Sequence, residues 1–85
     1  MSDYQAEVRI TPRAGLLDPE GHAVEGALKS LEFGGVKDVR VGRLIRFRVN
    51  ATSDDAARKA VDDMCRKLLA NPVTEDYALT VEAAR

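Results

Sequence analysis

The sequence predicts an α+β fold: a small mixed β-sheet with two helices on one face, in the order β-α-β-α-β with a long bent middle strand. Three observations lead to it. Apolar and polar residues alternate in three stretches, which is the period of a half-buried strand. In the two stretches between them, apolar residues recur every three or four positions, which is the period of an amphipathic helix. No linker, repeat or low-complexity run breaks the series, so residues 1–85 are expected to form one domain.

The first strand covers residues 3–11, where Tyr4, Ala6, Val8 and Ile10 alternate with Gln5, Glu7, Arg9 and Thr11; Pro12 and Gly15 end it. The first helix begins after Asp18, whose carboxylate can accept from an early amide. Pro19 suits the first helical position because its missing N–H needs no partner there, and Glu20 favours the positive end of the helix. Val24, Ala27, Leu28 and Leu31 then share one side, and Gly34 and Gly35 are expected to stop the helix by taking positive φ.

The middle stretch, "DVRVGRLIRFRV" (38–49), puts Val39, Val41, Ile45, Phe47 and Val49 on one parity and Arg40, Arg46 and Arg48 on the other. Two readings stand open. A turn at residues 42–44 would set Val41 against Ile45 and Val39 against Phe47, giving a ferredoxin-like βαββαβ order. A straight run would span roughly 40 Å at ~3.3 Å per residue and overhang its own sheet. Burial of five apolar side chains does not offset the entropy of fixing twelve residues, so an overhanging strand needs cover, and a second copy of the chain is its simplest source.

The second helix follows Thr52 and Ser53, both possible caps, over residues 54–69. Asp54, Arg58, Asp62 and Arg66 form one i, i+4 series and Asp55, Lys59, Asp63 and Lys67 another. Ala57, Ala60, Val61, Met64, Cys65, Leu68 and Leu69 supply its packing side, and Asn71 and Pro72 close it. The last strand is "DYALTVEA" (76–83), with Tyr77, Leu79 and Val81 on one face.

Composition narrows the function classes. A chain of this length buries only about 60% of the surface its unfolded form exposes, and with two Phe, two Tyr and no Trp the core must be aliphatic. The net charge of −1 gives no field to hold a polyanion, although residues 37–49 carry five basic residues against Asp38 alone. No aromatic residues interleave with those arginines to stack bases, which argues against nucleic acid. The single cysteine points to a reducing, cytoplasmic setting, and no signal-peptide-like or membrane-spanning apolar run is seen.

Catalytic chemistry finds little purchase. His22 stands in the first turn of a helix, where the dipole opposes its charged form, and Cys65 lies in an apolar pattern with no base indicated. Asp62 and Asp63 are adjacent and matched to basic residues four positions on, which is no metal set, and "EFGGV" follows a helix instead of opening one, unlike a phosphate loop. No catalytic, cofactor-binding or metal residue is assigned. A metabolite-binding regulatory domain and a nucleic-acid binder remain the alternatives to an assembly subunit.

Four blocks carry a resemblance: "LDPEG" (17–21), "AVEGALKSL" (23–31), "VKDVRVGR" (36–43) and "MCRKLLANPVTEDY" (64–77). In this order and spacing the chain resembles the PurS family, the small subunit of multi-subunit phosphoribosylformylglycinamidine (FGAM) synthase in purine biosynthesis. It departs where Pro12 stands two residues before the usual proline and where Arg43 replaces a common Lys. The resemblance implies a subunit without an active site in a ligase of the glutamine amidotransferase type. A PurQ-like glutaminase releases ammonia, and a PurL-like synthetase uses ATP and Mg to place it on formylglycinamide ribonucleotide. It also implies dimers or pairs of dimers that bridge the two partners and assist ammonia transfer, with no nucleic acid or membrane as partner. Val39, Val41, Ile45, Phe47 and Val49 are then expected to form the dimer and core strand, and Arg40, Arg43, Arg46 and Arg48 to dock a partner subunit.

Overall fold

Residues 1–84 are described by a computed structural model. Its elements are β1 (Ser2–Pro12), α1 (Pro19–Ser30), β2 (Arg43–Ala51), α2 (Asp54–Met64), a single π-helical segment (Cys65–Leu69) and β3 (Glu75–Ala83). The β-α-β-α-β order is as the sequence predicts. The sheet has the order β2-β1-β3 and is antiparallel throughout, where a mixed sheet was expected. Both β2 and β3 begin beside the C-terminal end of β1, with Arg43 opposite Ile10 and Glu75 opposite Pro12, so both run antiparallel to it.

The core sits on one side of β1. Ala6, Val8 and Ile10 are fully covered, flanked by Phe47, Ile45 and Arg43 on β2 and by Val81, Leu79 and Tyr77 on β3. Cross-strand partners in an antiparallel pair share a face, so all of these point toward α2. That helix lies over the sheet with Ala57, Val61 and Cys65 buried beneath it, and packs most closely on β3. Its start is fixed by Ser53, whose hydroxyl accepts from the Ala56 amide at 3.1 Å, while Thr52 is not the cap.

The second helix ends earlier than its apolar period suggests. After Met64 the turn widens, and the Ala70 amide donates to the Cys65 carbonyl five residues back. Cys65 stays in the core and Leu69 against it, but Leu68 turns out to solvent, 82% exposed. The charge series is half realised: Arg58 pairs with Asp54 and Arg66 with Asp62, whereas Asp63 pairs with Arg66 and not with Lys67.

The largest departure concerns α1. Two helices on one face were expected, but α1 makes no extensive contact with any strand. It lies instead beside residues 36–41 as an arm, which stretches the molecule to 51 × 29 × 14 Å. Its termination also differs: the helix closes at Leu31, and the left-handed residue is Glu32 (φ 74°) and neither Gly34 nor Gly35. The middle strand begins only at Arg43, so neither the 38–49 strand nor the hairpin at 42–44 is formed. Residues 38–42 run off the end of β2 unpaired with any strand, because the amides of Val39 and Val41 are taken by side chains of the arm.

Ile10, on the central strand, is the largest fully buried side chain. Ile10→Ala is expected to cost about 2–5 kcal/mol, read as a lower urea midpoint with unchanged slope. A loss below about 1 kcal/mol would show that the core lies elsewhere.

Candidate interaction surfaces

The arm is held together by two carboxylates. Asp18 caps α1 by accepting from the Gly21 amide at 3.1 Å through Oδ1, and its Oδ2 accepts from the Val41 amide at 3.1 Å. Two turns further on, Glu25 Oε1 accepts from the Val39 amide at 3.3 Å, while Oε2 meets Lys29 Nζ at 3.2 Å. The hydrogen bond from Gly21, then that from Val41, with the charge of Arg40 adding to them, holds the Asp18 carboxyl below its ordinary range. Glu25 is lowered chiefly by the Val39 amide and then by Lys29. Gly21 permits the close approach: a Cβ there would stand 2.4 Å from the Val39 carbonyl oxygen. Gly42 does the same where the arm joins the sheet, since a Cβ would lie 2.1 Å from the Ile10 carbonyl oxygen.

The arm presents an apolar surface to solvent. Val24, Leu31 and Phe33 are exposed, with Leu16 and Leu17 beside the helix start. A second uncovered apolar region lies on the sheet. Because α2 sits toward β3, a groove of about 470 Å³ remains between β2 and the end of α2, lined by Phe47, Met64, Leu68 and Leu69 with Asp63 and Lys67 at its rim. Along β2, Ile45, Phe47 and Val49 are half-buried, on the core side of the strand as the sequence predicts, and Phe47 reaches the groove. Val39 and Val41, expected in the same strand, belong to the arm.

The four arginines do not form one face. Arg46 and Arg48 point to the open side of the sheet, away from α2, where Arg46 Nε lies 3.3 Å from Glu7 and Arg48 stands opposite Gln5. Arg43 is of the other parity and turns toward α2, donating to the Leu69 carbonyl at 3.2 Å and to Glu75 at 2.8 Å. Arg40 lies outside the strand and donates to the Leu16 carbonyl at 3.3 Å, within the arm. The open face as a whole is polar, with Asp3, Gln5, Glu7 and Arg9 on β1 facing Asn50, Arg48, Arg46 and Leu44 on β2.

Arg13, which the sequence reading passed over, clasps the turn before β3. Its guanidinium donates to the carbonyls of Val73, Pro72 and Glu75 and to the Asp76 carboxylate, at 2.9–3.2 Å. Glu75 adds an acceptor for the Asn71 amide at 2.8 Å. No pattern of spacing signals these contacts, since the partners lie about sixty residues apart. Cys65 is fully buried, and burial followed by the charge of Asp62 pushes its thiol up, which is the reverse of what a nucleophile needs. Tyr77 donates to Asp62, and that bond raises its phenol. Among the described residues no group of three or more His, Cys, Asp or Glu is placed to hold a metal ion, and no helix is long and apolar enough to cross a membrane.

A comparison with known protein families matches residues 5–83 to the family described as PurS, phosphoribosylformylglycinamidine (FGAM) synthase. The chain belongs to the PurS family. FGAM synthase subunits PurS of Methanocaldococcus jannaschii and Bacillus subtilis are 39% and 40% identical to it, each over 93% of this chain and over 95% and 93% of their own lengths. Among solved structures, PurS of Thermus thermophilus superposes with a TM-score of 0.86 at 40% identity, covering 98% of this chain and 99% of that one. A chain in the structure of PurLQS from Thermotoga maritima gives 0.86 at 30% identity, covering 95% and 99%. The antiparallel sheet and the arm are therefore features of a PurS fold.

The carboxylate pins predict a pH dependence. Both folded-state values are depressed, so the contribution of Asp18 and Glu25 is complete above their ordinary values and is lost as pH falls through the lowered ones, below about pH 5. The amide resonances of Val39, Val41 and Gly21 should titrate together in that window, and Asp18→Asn should abolish the response at Gly21 and Val41 while leaving that at Val39. Flat profiles for Val39 and Val41 would remove the pins from the account.

Proposed function

We propose that this chain is the small, non-catalytic subunit of an FGAM synthase, working as a dimer that joins a PurQ-like glutaminase to a PurL-like synthetase. The synthetase partner supplies the ATP and Mg chemistry, and the small subunit holds the two in register so that ammonia passes between them. Pairs of such dimers and a cytoplasmic setting belong to the same reading. The observation that carries it is the match, over nearly its whole length, to a chain in the PurLQS structure. Its chemistry agrees: the one cysteine is a buried, protonated thiol, and several exposed charges are matched in ion pairs, Arg46 with Glu7 across the sheet and Arg58 and Arg66 with aspartates along α2.

Of the four arginines, this reading assigns the docking of acidic partner surface to Arg46 and Arg48, supported by their exposure on the open, polar face of the sheet. Arg40 and Arg43 act one step removed, by steadying the arm and the turn before β3. A rim charge of this kind chiefly sets association rate and salt dependence.

Reversal of both charges, Arg46→Glu with Arg48→Glu, is expected to leave the fold and self-association unchanged and to weaken co-purification with the two larger subunits at least about tenfold. Glutamine-dependent turnover should fall while turnover supplied with free ammonia is kept. Unchanged assembly and unchanged glutamine-dependent turnover would remove the docking role; loss of both turnovers alike would place the contact in the synthetase's own chemistry.

A further inference from the structure

The open face of the sheet carries its charge in a fixed order. Residues of one parity share that face, so β2 contributes Leu44, Arg46, Arg48 and Asn50 to it and β3 contributes Asp76, Ala78, Thr80 and Glu82. One edge is therefore basic and the other acidic. Two of the four edge charges are matched within the chain: Arg46 meets Glu7 at 3.3 Å and Asp76 meets Arg13 at 3.1 Å. Arg48 and Glu82 are exposed and make no ion pair among the described residues.

These two stand in one row. Gln5 on the central strand is opposite Arg48 on one side and Glu82 on the other. Guanidinium and carboxylate thus rise from backbones roughly 10 Å apart, two strand spacings, with a carboxamide between them. A recess of about 590 Å³ opens there, lined by Gln5, Arg48, Glu82, Ala83 and Ala84, and the small alanines leave room for a visiting side chain.

From this row we infer that the open face docks a larger subunit through a surface of matching polarity, with a carboxylate seated over Arg48 and an arginine or lysine seated over Glu82. The inference rests on the docking reading above and adds to it a second anchor, Glu82, and a direction: a partner turned end for end would set like charges together. The row also selects the class of partner. Glu82 and Asp76 repel a polyanion along one whole edge of the face, so a nucleic-acid backbone does not fit. A small zwitterion would lie mostly in water, because Gln5, Arg48, Glu82 and Ala83 are all exposed, whereas small-molecule sites bury most of their ligand. A protein surface covers the row at once, and the exclusion of water strengthens both charge contacts.

Reversal at one position and exchange at two separate an ordered contact from general attraction to a basic face. Glu82→Arg should weaken co-purification with the two larger subunits about fivefold or more, although it makes the chain more basic, with far-UV circular dichroism and self-association unchanged. Arg48→Glu with Glu82→Arg keeps the net charge and should bind at least as weakly as Glu82→Arg alone. Binding by Glu82→Arg as tight as wild type or tighter, or wild-type binding by the exchanged pair, would overturn the ordered contact. Loss of self-association in place of co-purification would overturn it too, by assigning the row to contact between copies. If the reversals disturb the strand, Glu82→Gln keeps the shape of the side chain and carries the same test, with an expected loss of about threefold. The docking reading is judged separately. Weakening by Arg46→Glu with Arg48→Glu but by neither Glu82 variant would remove only the order, whereas no weakening by any of them would remove the docking role as well.

Discussion

Two side-chain carboxylates decide the shape of this molecule. Backbone amides that leave a sheet must find other acceptors, and Asp18 and Glu25 offer theirs to Val41 and Val39 from the flank of the first helix. The segment that could have become a further strand is thereby bound to α1. Everything else follows from that capture: the helix is drawn away from the sheet, β2 starts at Arg43, and one helix is left to cover three strands. Two apolar surfaces are consequently uncovered in a chain too small to hide them by folding back on itself.

The two faces of the sheet are thereby assigned to different tasks. The face toward α2 is apolar and incomplete, the mark of a surface that finishes its burial against another chain. The opposite face is polar, with Arg46 paired to Glu7 across strands, and suits contact that must be specific without being sticky. Cys65 belongs to the core, its thiol pushed up by burial and by the charge of Asp62. Membership of the PurS family and likeness to a chain of the PurLQS structure supply the setting in which such a part has work to do.

Much of this was legible in the residues. The alternation in the first and last strands, Asp18 and Pro19 at a helix start and the apolar spacing of the second helix all report local geometry, and the structure keeps them. Where the reading failed, non-local contacts prevailed. Val39 and Val41 carry a perfect strand alternation, but a strand needs a neighbour, and the acceptors of Glu25 and Asp18 took its place. Arg43 was grouped with Arg46 and Arg48 although its parity is opposite, and it turns toward the end of α2. The clasp of Arg13 leaves no periodic trace, since it joins distant parts of the chain, and nothing in the apolar period of α2 marks the widening after Met64.

The central claim is that this fold is finished only by a second copy, and the concentration dependence of its thermal unfolding tests that most directly. Where association and folding are linked, the midpoint must rise with protein concentration by mass action. The account predicts a single transition whose midpoint climbs steadily across a hundredfold range of concentration, with the mass of two chains below it. A midpoint indifferent to concentration, with the mass of one chain, would contradict it.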